Sequence, residues 1–476
     1  MSVQFIDNAS IDKNTRKLIR SHVAKGKNLG RTIHRPSRHP RKPKVTASEQ
    51  TASEVRPEVD NIKESEVPLS IQRQLQEDLS TSLPFNTSLT CRRLFFHFAT
   101  FMRLEPYTPE LRKTVTYING PRLFLQYAFL DEAFFHCTVA MSVAASIPFP
   151  ATRQETAEAF SHLSRGLHLV NQRLAGDRES ALSDTTLAVV VLMAQHERLL
   201  GYHHHALVHF DGLHKIVALR GGISRVVSEC PGVAQKALRA DFDFALHLGS
   251  STRFSVKCIP GKAALDWLRA KYRATRSESP YAQTLAIPAN EEIRTVFEDM
   301  CVLAWLVNDS AVHGVTVNDY DFHNILLLIG YRLLNVQPLN TPIEARDTLE
   351  LLLHLGLVAL MTKFFFTMGL KPPDVHLLYR YIVSAALEQQ YASRDEQEHL
   401  LWLLFTGKST LLINVDDDIW LVPEISKVAA QLGLSTWDQV SRILQKFPWV
   451  RTFSNDTAQT LWNQVCSLDL FKRPSS

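Results

Sequence analysis

Residues 206–222 read Ala206-Leu207-Val208-His209-Phe210-Asp211-Gly212-Leu213-His214-Lys215-Ile216-Val217-Ala218-Leu219-Arg220-Gly221-Gly222. Ala206, Phe210, Leu213 and Val217 recur at steps of four, three and four. On a helix of 3.6 residues per turn that spacing gathers them into one apolar stripe. The Gly221-Gly222 pair then ends the helix, because glycine takes the left-handed backbone of a helix C-terminus without a steric cost.

The same reading extends outward in both directions. Apolar patterns of period 3.6 appear at 121–146, 152–174, 184–200, 203–220, 231–248, 290–308, 321–335, 344–369, 373–392, 422–432, 436–446 and 456–468. Ser183 and Asp184 stand as a start signal before Leu187, Val190, Val191 and Ala194. Pro372-Pro373 breaks the chain after a Leu-rich helix. No sustained period-2 run of β-branched residues indicates a sheet. Helices must therefore pack on helices, and the expected fold class is all-α, a large helical domain over residues 84–476.

Charge divides the chain differently. Residues 13–44 hold twelve Lys and Arg and no acid, which leaves 40 of the 52 Lys and Arg against all 48 Asp and Glu elsewhere. The net charge of +4 thus hides a basic arm and a mildly acidic remainder. Within the arm, Asp12 can cap a short helix bearing Leu18, Ile19 and Val23, and Gly26 can end it. Pro36, Pro40 and Pro43 then forbid helix and favour an extended strand of positive charge. Residues 45–83 are rich in Ser, Glu and Pro, and repeat Thr46-Ala47-Ser48-Glu49 as Thr51-Ala52-Ser53-Glu54. Such a composition cannot bury enough apolar surface to offset its ordering entropy, so it reads as a disordered linker.

Several chemical classes lose their support. The six cysteines stand at least 28 residues apart, with no CxxC or CxH spacing, so no sequence-local zinc module exists. The opening, Met1-Ser2-Val3-Gln4-Phe5-Ile6-Asp7, lacks the apolar run and cleavage site of a secretory leader. Gly407-Lys408-Ser409-Thr410 resembles the end of a phosphate-binding loop, but Trp402 occupies the place of its first glycine. Asp416-Asp417-Asp418 is followed by Ile419-Trp420-Leu421, which defeats the spacing of a magnesium-binding aspartate pair; a solvated loop or a helix cap is the better reading. His205 and His209 share a helix face at the spacing that suits a metal, yet no Cys or metal-site Glu joins them locally. Leu351–Leu370 is apolar enough to test as a membrane span, but Lys363 at its centre would cost about 2.5–3.5 kcal/mol there. No catalytic motif is complete, so the expectation is a non-enzyme without cofactor or metal.

The arm is the candidate site: Lys13, Arg16, Lys17, Arg20, Lys25, Lys27, Arg31, Arg35, Arg38, Arg41, Lys42 and Lys44. Lys and Arg neutralise phosphates and release counterions, which gives affinity for DNA that depends on salt and not on sequence. A nuclear import signal centred on Arg38, Arg41, Lys42 and Lys44 is a second reading, and a solvated basic tail a third.

A run of helices carries a family resemblance. It goes from Phe124-Leu125 to Ala145, from Ala157 to Leu174, from Thr185-Thr186-Leu187 to Leu200-Gly201, and through Ala206-x2-His209-x2-Gly212-Leu213 to Arg220-Gly221-Gly222. Asp241–Ala245 and Arg253-Phe254 complete it. This pattern resembles the fungal-specific transcription factor domain, with the His-x2-Gly-Leu to Arg-Gly-Gly segment its most specific part. Leu432–Leu444 with Trp437, then Trp449 and Leu461-Trp462, is similar to that family's closing helices. Phe5-Ile6-Asp7 and Arg20–Asn28 look like the N-terminus of some of its members. The usual six-cysteine binuclear zinc cluster is missing. The resemblance implies a nuclear regulator of RNA polymerase II transcription, acting for example on a biosynthetic gene cluster. DNA would be reached through the arm or through a partner. Co-regulator proteins or the transcription machinery, and a second copy of the chain as a homodimer, are the expected partners, with no membrane. A helical interaction platform without DNA contact is the alternative.

Overall fold

In the computed structural model of the chain, residues 87–104, 111–116, 126–145, 151–276, 290–341, 347–366 and 375–472 are described. The basic arm and the linker lie outside the described residues.

The first helices are α1 (Leu89–Leu104), α2 (Leu111–Thr114), α3 (Tyr127–Leu130), α4 (Glu132–Ala144), α5 (Arg153–Ala175) and α6 (Arg178–Ala181). Next come α7 (Asp184–Leu199), α8 (His203–Leu219), α9 (Ile223–Glu229), α10 (Pro231–Leu248), α11 (Lys262–Arg276) and α12 (Glu291–Asn308). The last are α13 (Asp319–Val336), α14 (Thr348–Phe366), α15 (His376–Leu387), α16 (Arg394–Thr410), α17 (Asp418–Leu432), α18 (Trp437–Leu444) and α19 (Arg451–Lys472). The expected all-α class is what the described residues adopt. Their only strands, β1 (Val115–Thr116) and β2 (Val317–Asn318), pair in parallel with Val115 opposite Val317.

Packing follows the chain order. α4 lies against α1, α5 and α7; α7 lies against α8 and α10; α10 lies against α13. α13 then meets α12 and α14, α14 meets α15 and α16, and α16 meets α17 and α19. The inner helices are buried nearly all round. α7 buries twelve of its sixteen residues, and α16 buries eleven of seventeen. α5 stands outside this spine and buries only Ala159, Gly166 and Val170. All the described residues belong to one compact unit.

Local signals set many of the ends. Ser183 accepts from Thr186 N and starts α7, as its sequence suggests. Capping boxes at Thr152–Glu155, Ser393–Glu396 and Thr436–Gln439 start α5, α16 and α18. Gly222, with φ 96°, starts α9 directly after α8 has ended.

Two expectations need correction. The helix read over 121–146 is broken at Asp131, whose extended backbone (φ −139°, ψ 119°) ends α3 while its carboxylate accepts from Phe134 N to begin α4. The cap outcompetes a continuous helix because it satisfies a backbone donor that α4's first turn leaves open. The second concerns helices that the apolar periodicity missed, among them α1, α9, α11 and α16, of which α16 is the most deeply buried. His399–Thr406 is buried on every side, so its sequence carries no polar face to reveal a period.

The Leu-rich segment is the helix α14. It is long and apolar enough to cross a membrane by length and composition, and 78% of the tested window, Thr348–Phe365, is buried by neighbouring helices. His354 on this helix is buried, with Nε2 2.9 Å from Leu333 O of α13. Where α14 crosses α16, Gly356 faces the ring of Trp402 so closely that a Cβ there would overlap it. Trp402 is fully buried and stacked on Phe447, 4.8 Å away and tilted 9°, which limits its room to shift. Gly330 stands in the same relation to Phe242 at the α13–α10 crossing. Replacing Gly356 with Ala is therefore expected to destabilise the fold by about 1–3 kcal/mol through overpacking. Thermal unfolding compared with Gly212→Ala, where a Cβ meets nothing within 4 Å, checks this. Equal melting of the two variants would contradict it.

Candidate functional site

None of the twelve arm cations, Lys13 to Lys44, falls among the described residues. What the structure does place are the motif residues of 184–254, and it brings them into one electrostatic cluster at α7, α8 and α10.

Arg220, the last residue before the glycine pair, projects from the end of α8. Its guanidinium meets Asp184 at the start of α7 through Nη1 at 2.5 Å and Glu229 at the end of α9 through Nη2 at 2.6 Å. Glu229 also accepts from Arg225 at 2.6 Å. The two Arg hydrogen bonds hold the Glu229 carboxyl below the usual carboxylate range. Gly221 (φ 103°) and Gly222 (φ 96°) supply the backbone reversal that lets one Arg reach both acids.

Asp241 performs a second closure. It is buried on α10, and its carboxylate accepts from Arg253 N at 2.9 Å, Phe254 N at 2.8 Å and the Tyr331 hydroxyl at 2.9 Å. Burial raises its pKa, opposed by those hydrogen bonds. Phe254 then lies under His214, with ring centres 5.2 Å apart, and the Arg253 guanidinium sits 4.9 Å over Phe210 while pairing with Asp211. Asp211 and Asp241 thus commit their carboxylates to Arg253-Phe254, His214 covers Phe254, and Arg220 ties α8 to Asp184 and Glu229. The most specific part of the motif works as a structural clasp.

Three groups of histidines form, only one of which was visible from local spacing. His196 and His205 both address the carboxylate of Glu197, at 3.2 and 3.5 Å, and His209 lies near it. Burial lowers the pKa of His209, partly opposed by Glu197. His203 departs from its neighbours in sequence and stacks on His247 of α10, 4.0 Å between centres, with His376 of α15 beyond. His136 of α4 and His162 of α5 approach through Nδ1 atoms 2.6 Å apart, with Glu132 and Glu158 nearby. Among the described residues no three His, Cys, Asp or Glu side chains converge in a way that could hold a metal.

The look-alike motifs are also absorbed by packing. Lys408 pairs with Asp418, and Ser409 is buried against Ser454 at 3.1 Å. Asp417 is buried, accepts from Tyr379 at 2.7 Å and closes a capping box with Asn414. Sequence reasoning missed two buried ion networks. Asp299 of α12, fully buried, receives a fork from Arg269 of α11 (2.7 and 2.9 Å) and a third bond from Arg332 of α13 (3.1 Å). Asp243 receives Arg239 at 2.8 Å and Arg198 at 3.5 Å, with Arg239 lying 4.0 Å over Phe365. Only the Arg239–Asp243 pair carries a local signal, its i, i+4 spacing.

Replacing Asp241 with Ala strands the backbone donors of Arg253 and Phe254, while the Tyr331 hydroxyl keeps the Leu238 carbonyl at 2.9 Å. We expect a loss of about 3 kcal/mol, with Asp241→Asn losing less, in denaturant unfolding. No difference between Asp241→Ala and the parent would refute the clasp. The histidine pair yields a pH effect. Burial depresses both His136 and His162, so unfolding takes up protons below the ordinary value near 6.5. Stability from this pair is whole above that value and is lost as pH falls through it. The melting temperature should fall from pH 7 to pH 5, and should fall less in His162→Gln.

With this geometry in hand, comparison with known proteins adds no relative: no family model, no curated protein and no solved structure matches the chain.

Proposed function

We propose that the protein is a nuclear regulator of RNA polymerase II transcription, in which the basic arm meets DNA phosphates or the import machinery and the helical body recruits partners. One observation carries the reading: twelve cations and no acid in residues 13–44, while the rest of the chain, linker included, has eight more acids than cations. The rest of the chain has no surplus of cations, so the division concentrates polyanion affinity in one segment. The resemblance of 121–254 and 432–462 to the fungal-specific transcription factor domain supports the same reading. So does the use of its motif residues in holding helices together, as expected of a regulatory scaffold.

A second reading, an interaction platform without DNA contact, draws on a different observation. Ile413, Val415 and Ile419 are exposed at 64, 82 and 75% around the turn between α16 and α17. Exposed β-branched side chains this close together suit a protein partner.

The deciding measurement is chromatin occupancy of the tagged full chain against a variant with the twelve arm cations changed to Gln. Discrete promoter peaks that vanish in the variant, with both proteins nuclear, are expected. In vitro, duplex affinity should fall with salt at a log–log slope of about −5 if about six phosphates are neutralised, and the slope should collapse in the variant. Peaks retained by the variant would assign recognition to a partner. A cytoplasmic full chain without peaks would sink the regulator reading.

A further inference from the structure

α11 concentrates positive charge on a nearly neutral body. Lys262–Arg276 contains five Lys and Arg and one acid, Asp266. Its inner side is fixed: Leu265 and Leu268 are fully buried, Tyr272 packs on Trp305 at 5.8 Å, and Arg269 forks onto Asp299. Asp266 is occupied by Arg269 at 2.8 Å. The outer side is different. Trp267 is 44% exposed at the centre of that side, and Lys271 approaches its ring at 5.8 Å. Ala263, Ala270 and Ala274 are exposed one turn before it, one turn after it and two turns after it. Lys262, Lys271 and Arg273 are exposed along the rim, and among the described residues they form no ion pair. The neighbouring α12 exposes Glu291, Glu292 and Glu298, and none of these pairs with the rim cations either.

An indole left in solvent between unpaired cations, on a helix already anchored from behind, is an incomplete interface. The low alanine walls leave room for another helix to lie close, with the indole as the anchor. The middle of the face is methyl and indole, with the indole N–H its one donor and no acceptor, a poor match to base edges that disfavours duplex DNA. The charges of the rim that form no ion pair, Lys262, Lys271 and Arg273, are all positive, which disfavours a second copy of the same face.

We propose that the outer face of α11 docks an acidic amphipathic helix of a partner protein. The partner's apolar residues, at i, i+3 or i+4 and i+7, would cover Trp267, and its carboxylates would pair with Lys262, Lys271 and Arg273. This deepens the recruitment half of the proposed function and rests on it, but it does not need the arm to touch DNA.

The test uses the full-length protein and a fluorescent, helix-stapled acidic amphipathic peptide of about 16 residues, four turns of helix. Anisotropy is read at physiological salt for the parent, Trp267→Ala and the double variant Lys271→Glu/Arg273→Glu. A scrambled peptide, a peptide with Lys in place of its acids, and a DNA duplex serve as the other probes. The acidic peptide is expected to bind saturably, about tenfold or more weaker to each variant, and the Lys peptide is expected to recover binding to the charge-reversed protein. That recovery is a gain, so it stands even if Trp267→Ala fails to fold. Equal binding of the scrambled peptide would overturn the proposal. Binding unchanged by every α11 substitution would assign the peptide to the basic arm and overturn it too. A duplex lost with the same substitutions, or self-association that depends on Trp267, would replace the partner helix with DNA or a second copy. An arm that fails to bind DNA leaves these peptide results unaffected, so the two failures are distinguishable.

Discussion

A helix with no polar side must be covered on every side, and α14 imposes that demand. Leu351–Met361 is buried all round, His354 included, so α12, α13, α15 and α16 gather about it. Coverage at close range needs a place where two helix axes approach, and Gly356 provides it by leaving room for Trp402. Without that recess α16 would stand off from α14, and the stacked Trp402–Phe447 pair would lose its backing. The interior polar groups fit around this centre. His354 meets the Leu333 carbonyl, and the carboxylates of Asp241 and Asp299 each join elements that the apolar surfaces alone would leave free to slide. Hydrophobic burial supplies most of the driving force; the glycine recess and the buried ion networks select one arrangement of helices from many.

How much of this was legible depended on the range of the interaction. Local grammar read well. Ser183 announced α7, Gly221-Gly222 closed α8, and the Leu-rich run marked α14. The same grammar failed where two local signals competed, as at Asp131, where a cap won over periodicity. It failed again at α16, whose all-round burial erases the stripe that a period requires. Long-range partners left no trace. Nothing about Asp299 in the sequence points to Arg269 and Arg332, 30 and 33 residues away. For the candidate site the position is reversed. The arm stands out in composition alone, because charge needs no fold to be counted, and its geometry lies outside the described residues. The exposed face of α11 could not be read in advance, since α11 was not among the expected helices. Trp267 carries no local sign of exposure, because packing alone decides which side of the helix faces solvent.

The histidines illustrate why spacing alone misleads about chemistry. His203, His204, His205, His209 and His214 are neighbours in sequence, yet the structure sends them to different surroundings. His203 joins a ring stack with His247, His205 and His209 attend Glu197, and His214 covers Phe254. A dense run of one residue type on a helix is dispersed by the 100° turn per residue. The compact pair, His136 and His162, comes from residues 26 apart.

The short pairing of β1 with β2 has a consequence beyond its four residues. Elsewhere the helices mostly touch partners close in the chain, a topology that lets each layer settle as synthesis proceeds and keeps loop closures short. Val115 opposite Val317 breaks that rule by drawing together positions about two hundred residues apart, and α2 reinforces the bridge by packing on α12. The bridge turns an open stack, whose end layers could peel independently, into a closed circuit. Layers α3 to α12 lie inside it, and loosening either end of the circuit releases the other. Cooperativity across the first half of the domain thus depends on a contact that cannot form until residue 318 has been made, so the final locking of the early helices must wait for the later ones.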